Sequence, residues 1–313
     1  MTCHNCKTEC TRFGKTRKGQ QRYRCTDCRK TFSEPRNEHL GGMYTDLDTV
    51  NVVVSLFVEG CSIRSIGRVT GLHQATILKV LAVAGTRCER LLESKINHLP
   101  VSDVQCDEMW AFVFCKEKRN HTGDPERGDA YCFVAIERNT KLVLTWHLGR
   151  RTAQDTEVFT EELSHATTGR FQITTDGFGA YPEAIHYSLG TRVDFAQLIK
   201  VYATPAENET RYSPARVVEV IAKPVWGQPD PERICTSHVE RQNLTMRMCI
   251  RRLTRLTNAF SKKRENLKAA IALHFGWYNF CRRHQTLRVT PAMEAGISTH
   301  VWTIGELLGA TQS

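Results

Sequence analysis

The apolar positions of this chain change their spacing twice. In the first forty residues they are few and scattered between cysteine pairs, too sparse for a core of their own. From Thr45 they recur at helical spacing. TDLDTVNVVVSLFVEG has acidic residues in its first turn and a terminal Gly60, and SIRSIGRVTG is bounded by Ser62 as a cap and Gly71 as a stop. QATILKVLAVAG follows after only Leu72 and His73. Three helices are predicted, the last running through TRCERLLESK into the linker NHLPVS. From Val101 the runs become short and rich in strand formers: VQCDEMWAFVFC, AYCFVAIE and LVLTWHLG. The first two are joined by the polar loop CKEKRNHTGDPERGD and the last two by the turn ERNT. A helix, TAQDTEVFTEELSHA, then leads to a fourth strand, FQITTD. This order predicts an α/β domain preceded by two small modules.

Composition narrows the class. At 313 residues and 41% apolar the chain is globular, with room for about two domains. Its net charge of +10 favours a polyanionic partner, nucleic acid first. No run approaches the roughly 18 apolar residues of a membrane span. The start, MTCHNCKTEC, lacks the apolar stretch of a signal peptide, so a cytoplasmic location is expected. Of the 13 cysteines, Cys61, Cys88, Cys106, Cys115, Cys132, Cys235, Cys249 and Cys281 lie singly in apolar segments, as small buried hydrophobes do.

Four other cysteines form two C-x-x-C pairs, Cys3 with Cys6 and Cys25 with Cys28, 18 residues apart. That spacing predicts a zinc ribbon over residues 1–40, with Zn2+ supplying most of its folding free energy. His4 and Cys10 are left over as non-ligands. Between the pairs, Arg12, Lys15, Arg17, Lys18, Arg22 and Arg24 interleave with Phe13 and Tyr23, a composition that suits DNA phosphates. Across residues 1–40 ten Lys or Arg face four Asp or Glu, which strengthens that expectation. Residues 45–97, two short helices around a glycine turn, predict a helix-turn-helix whose second helix would offer Gln74, Thr76 and Lys79 to double-stranded DNA. The alternative for these helices is a plain bundle linking two domains.

Three carboxylates stand out on this basic background: Asp107 in CDEMW, Asp176 in TTDGFGAY and Glu240 in SHVERQN. Carboxylates on strand, strand and helix suit a pair of hard divalent ions acting on phosphodiesters. Asp103 rivals Asp107 for the first place, but at about 3.3 Å per residue the two are some 13 Å apart, so only one can serve. Glu108 is expected on the opposite face and Trp110 in the core. Gly177 and Gly179 let the chain turn close to a ligand after Asp176. Glu240 is expected to open a long basic helix, ERQNLTMRMCIRRLTRL, with Asn243, Leu244 and Arg247 on its own side. Asn243 and Arg247 would there hold phosphates or a metal ligand. Arg251 and Arg252 belong to a stripe over residues 237–290 with twelve Lys or Arg against two acids, an expected DNA track. The aromatic cluster FGWYNFC is expected to be core.

Strand order and the three acidic peptides match a ribonuclease-H-like α/β domain, and CDEMW, TTDGFGAY and HVERQNLTMR resemble the DDE transposases of bacterial insertion sequences, most closely the IS1 family. The zinc ribbon and helix-turn-helix in front look like that family too, so the resemblance runs from Cys3 to HQTLRVTPAMEAG. It implies a catalytic triad of Asp107, Asp176 and Glu240 holding Mg2+ or Mn2+ in a domain over residues 101–290, a C-terminal tail over 291–313, and action in the bacterial nucleoid. It further implies recognition of element ends, DNA cleavage, joining of 3′ ends to a target, and a homo-oligomer on DNA. The 64 residues from Asp176 to Glu240 exceed the compact spacing of that family, and residues 187–231 are expected as an insertion with a strand or two and much loop. The alternatives are a DNA-binding regulator with an inactive domain, which the intact triad disfavours, and a nuclease that does not join strands.

Overall fold

The computed structural model describes residues 1–3, 5–17, 19–33, 40, 42–43, 45–203, 217–255 and 257–310. The chain forms two compact units, Met1–Leu47 and Asp48–Ser313. The first is a three-stranded antiparallel sheet of β1 (Cys10–Lys15), β2 (Gln21–Cys25) and β3 (Thr31–Ser33), in that order.

The second unit opens with α1 (Leu47–Val58), α2 (Ile63–Thr70) and α3 (Gln74–Lys95). The sequence signals between them hold. Ser62 caps α2 by accepting from the Ser65 N–H at 3.1 Å, and Gly71 ends it at φ 70°, a left-handed position that glycine takes without cost. α3 is the long helix of this group, and its apolar side is covered by α7 (Arg264–Phe280). At their crossing a Cβ on Gly85 would fall 2.5 Å from the Ala269 Cα, so only glycine permits the contact.

After the two-residue β4 (Leu99–Pro100) the main sheet begins with β5 (Asp103–Val113), β6 (Gly128–Glu137) and β7 (Val143–Gly149), an antiparallel meander. α4 (Ala153–Ala166) and the short β8 (Thr167–Thr168), which pairs β4, lead to β9 (Phe171–Thr175). α5 (Tyr181–Leu189), β10 (Val193–Tyr202) and β11 (Val217–Trp226) follow, then α6 (Ser237–Cys249) and α7. The six strands lie in the order β11-β10-β9-β5-β6-β7, with β9 parallel to both β5 and β10. Strand alternation assigns the two faces. Phe133 meets Phe159 of α4, whereas Trp146 meets Phe275 of α7. α8 (Pro291–Glu294) and α9 (Ile304–Gly309) lie in the segment expected as a tail; Leu307 and Leu308 are buried.

Within residues 187–231 the strand or two expected are β10, which lies between β9 and β11, and β11 at the sheet edge, while residues 204–216 fall outside the described set. Several expectations are corrected. The basic helix stops at Cys249, where the Thr254 hydroxyl reaches back to the Arg247 carbonyl and the chain turns through Arg251–Leu253. Trp110 is half-buried, with its ring tilted against Phe112 and the Lys116 ammonium 5.3 Å above it. Among the singly placed cysteines, Cys88, Cys106 and Cys132 are fully buried and the other five are half-buried. The aromatic run of α7 is core, with Phe275, Tyr278 and Phe280 enclosed. Among the described residues no helix is long and apolar enough to cross a membrane.

Candidate metal centres

The parallel register of β5 and β9 pairs Cys106 with Thr175. The next residues are Asp107 and Asp176, so two carboxylates issue side by side where β9 ends, at the roughly 4.8 Å spacing of neighbouring strands. Glu108 joins them: one oxygen from each of the three lies within 4.8 Å of the others. Asp107 accepts from Asn243 Nδ2 of α6 at 2.8 Å. Glu108 leaves toward the other face, accepting from the Tyr181 hydroxyl of α5 at 3.2 Å and from Arg151 Nε at 2.6 Å. Alternation thus sets its starting direction, but β9 is finished here and the longer side chain reaches Asp176 around its open end. Glu108 thus starts on the opposite face, as expected, and its place in the cluster is what alternation did not foretell.

Asp176 closes an Asx turn, accepting from the Phe178 N–H at 3.0 Å. The Arg151 guanidinium lies 3.6 Å from Asp176 and stacks on the Phe178 ring at 4.3 Å. Glu240, in the first turn of α6, stands across a cleft of about 450 Å³ whose lining includes Asp107, Asp176, Phe178, Lys200 and Tyr202. It accepts from the Lys200 ammonium and the Thr236 hydroxyl. Glu240 is therefore on the cleft with the two aspartates but outside the tight cluster.

The electrostatics of the cluster favour a cation. Burial, Asp176 and Glu108 together push Asp107 up to about 7. Burial and Asp176 do the same to Glu108, up to about 7, against the pull of Arg151 and Tyr181. Asp176 is raised by burial and by Glu240, although the Phe178 N–H, Arg151 and Lys200 oppose the shift. Carboxylate oxygens crowded at this spacing are the donor set a hard divalent ion takes, and such an ion would reverse these shifts. Asp103 is different. Its carboxylate is fully buried between Arg138 and Arg233, each at 3.1 Å.

Asn243 is 8% exposed, and its Oδ1 has no partner among the described residues. Arg247 is tied to the carbonyls of Leu253 at 3.1 Å and Trp110 at 3.3 Å, and burial lowers it to about 10. Arg252 turns toward the Phe57 ring of α1 at 5.9 Å and is likewise lowered by burial to about 10, while Arg251 is half-exposed. Gln74 and Lys79 are exposed on α3, and Thr76 is half-buried. Arg151 and Lys200 carried no sequence signal. Each is a single basic residue in a basic chain, and Lys200 lies in the stretch expected as an insertion.

In the first unit, one sulfur from each of Cys3, Cys6, Cys25 and Cys28 lies within 4.8 Å of the others. The two C-x-x-C turns are built alike. Lys7 and Arg29, each four residues after the first cysteine of its pair, take left-handed φ values of 61° and 56°. The Cys6 N–H points at Cys3 Sγ at 3.4 Å. A hydrogen bond from the Thr8 hydroxyl helps lower Cys25 to about 6, whereas hydrogen bonding to Cys28 helps push Cys6 up to about 12. Four sulfurs this close cannot all ionise without a cation among them, and four thiolates are the set Zn2+ takes. Cys10 is outside the cluster, and His4 is outside the described residues. Arg12, Lys15 and Arg17 are exposed, Arg22 and Arg24 lie over Phe13 at 5.5 and 5.1 Å, and Lys18 lies outside the described residues.

No family model and no curated protein matches this chain. Among solved structures it is similar to a piggyBac transposase synaptic complex with hairpin DNA, at a TM-score of 0.39 and 12% identity over 88% of this chain and 73% of that one. It is also similar to an Endonuclease V from Bacillus subtilis, at a TM-score of 0.22 and 14% identity over 64% of this chain and 90% of that one. Likenesses this low leave the sites themselves as the grounds for a function.

Proposed function

We propose that this chain is a DNA transposase of the DDE type, resembling the IS1 family, which binds the ends of its element, cleaves DNA and joins the 3′ ends to a target. The observation that carries the reading is the parallel register that sets Asp107 beside Asp176, with Glu240 facing them across one cleft. The sheet order supports a ribonuclease-H-like domain, antiparallel from β7 to β5 and parallel through β9 and β10. Asp107, Asp176 and Glu240 would hold Mg2+ or Mn2+, with Glu108 beside Asp176. Two such ions, when bound, activate the attacking oxygen and stabilise the leaving one.

The chain's own groups prepare that cleft. The Asn243 amide holds one oxygen of Asp107 at 2.8 Å and the Glu108 N–H holds the other at 2.9 Å, so the carboxylate is oriented while each oxygen keeps a lone pair to ligate. Arg151 and Lys200, already drawn to the carboxylates, are the cations that would meet the phosphates of an entering strand. Water is the attacking group in cleavage and the freed 3′-hydroxyl in joining, so one cleft serves both in-line displacements. The four cysteines would hold Zn2+ in a ribbon, and the ribbon with the α2–α3 helix pair, read as a helix-turn-helix, would grip double-stranded DNA.

The test is a cleavage and strand-transfer assay with Mg2+, on labelled duplexes carrying the DNA that flanks the coding sequence. Wild type is expected to give cleaved and joined products, and Asp107→Asn, Asp176→Asn and Glu240→Gln are expected to give neither. Joined products persisting in all three variants overturn the catalytic assignment; cleavage without joining assigns a nuclease instead.

A further inference from the structure

The two edges of the main sheet are finished differently. At β7 the helices seal the edge: Asn279 accepts from the Val143 N–H at 3.1 Å and donates to its carbonyl at 2.9 Å, and Arg264 donates to the Leu148 carbonyl at 2.7 Å. At β11 no such cap exists among the described residues. The eight residues from Val217 to Pro224 are all exposed, with Val218 at 57% and Val220 at 53%. An exposed strand edge with several apolar residues is a template for another strand, and its Glu219, Lys223 and Pro224 restrict which strand can pair there.

The sequence of β11 says which strand would fit. In VVEVIAKP the charged residues are Glu219 and Lys223, placed symmetrically about Ile221. Within the hairpin they lie opposite Val201 and Gln197, and neither has a partner of opposite charge among the described residues. An antiparallel copy of the same strand, centred on Ile221, brings each charge against its opposite twice over. It also sets Val220 against Ala222, and it runs out at Pro224, which has no N–H to donate.

We propose that β11 is the surface through which two copies of this chain associate, their β11 strands paired antiparallel about a two-fold axis at Ile221, Glu219 of each facing the partner's Lys223. A two-fold axis through such a pair stands perpendicular to the sheet, so the same sheet face is presented by both copies. Leu198 and Lys200, which line the acidic cleft, are cross-strand from Ala222 and Val220 and share their face. The Lys200–Glu240 pairs of both copies therefore lie on one side of a continued sheet. Serving two DNA ends from that side rests on the transposase reading, whereas the association itself does not.

Sedimentation equilibrium of the full chain, without DNA and without Mg2+, tests it. Wild type is expected to be a reversible dimer. Glu219→Lys and Lys223→Glu should each raise the dissociation constant about tenfold, since two attractive contacts become two repulsive ones. The double reversal should return it to within about threefold of wild type, with unchanged circular dichroism throughout. A wild-type monomer at roughly 100 µM overturns the proposal, as does a dimer indifferent to the single reversals or one that the double reversal fails to restore. A strand from another protein bound stoichiometrically on β11 also overturns it. DNA cleavage lost with the dimer intact bears on the function alone; a monomer that still cleaves bears on the interface alone.

Discussion

Asp103 and Asp107 share a strand and a face, yet their surroundings treat a carboxylate in opposite ways. Asp103 is sealed from water with one oxygen held by two guanidinium groups, which oppose the upward shift that burial imposes on it. Asp107 has like charges around it, Glu108, Asp176 and Glu240, and the amide of Asn243 to hold it in place. One site spends arginines to complete the structure, and the other leaves its charge to be answered by something the chain does not contain. On the function proposed, the difference marks Asp103 as structural and Asp107 as a metal ligand more sharply than spacing along the strand does.

The largest expected effect tests that separation through catalysis. Asp107→Asn or Asp176→Asn should lower Mg2+-dependent DNA cleavage by about three orders of magnitude, the loss of several kcal/mol of charge stabilisation. Asp103→Asn should leave the rate within about threefold of wild type in a single-turnover assay, because it touches no reacting group.

Stability should rank the two positions the other way. Asp103→Ala leaves Arg138 and Arg233 without their shared carboxylate and should cost about 2 kcal/mol in urea unfolding, less than a fully buried pair because both arginines reach solvent. Asp107→Ala relieves repulsion and should cost less than about 1 kcal/mol in Mg2+-free buffer. Equal losses at the two positions would break the comparison.

Asn243→Ala should sharpen it from the side of the amide. Calorimetric titration is expected to show Mn2+ binding weakened about tenfold, as when a group that orients a ligand is removed.

The smallest effect is on pH. Asp107 and Glu108 are raised from ordinary carboxylate values to about 7, so the folded protein holds protons that the unfolded chain releases. Their ionisation therefore opposes folding, and stability is lost as pH rises toward 7. In Mg2+-free buffer the melting temperature should fall by roughly 5 °C between about pH 5 and pH 8, with saturating Mg2+ reducing the fall. A melting temperature that rises over that range would contradict the raised carboxylates.

Much of the molecule was legible before folding because its signals are local. The Ser62 cap, the Gly71 stop, the cysteine pairs and the meander through β7 depend on residues within a turn or a hairpin of one another. Asp107 and Asp176 were legible through their peptides, while distance along the strand showed only that Asp103 and Asp107 could not both serve. A strand or two was expected where β10 and β11 lie, but the interior place of β10 was not legible because it comes from pairing with β9, about 20 residues earlier. Trp110 was expected in the core because alternation gives a face but not how far the covering helices extend.

By itself the sequence determined the chemistry available: four thiols in two pairs, a basic balance, and carboxylates on elements whose type could be named from neighbouring residues. Only the tertiary structure decided which charges meet. It brought Glu108 around the end of β9, set Lys200 against Glu240 from 40 residues away, and gave Asp103 rather than Asp107 the arginine partners. Periodicity and capping act over a few residues, whereas the field at a carboxylate is set by whatever packs within several ångströms of it, however far along the chain that lies.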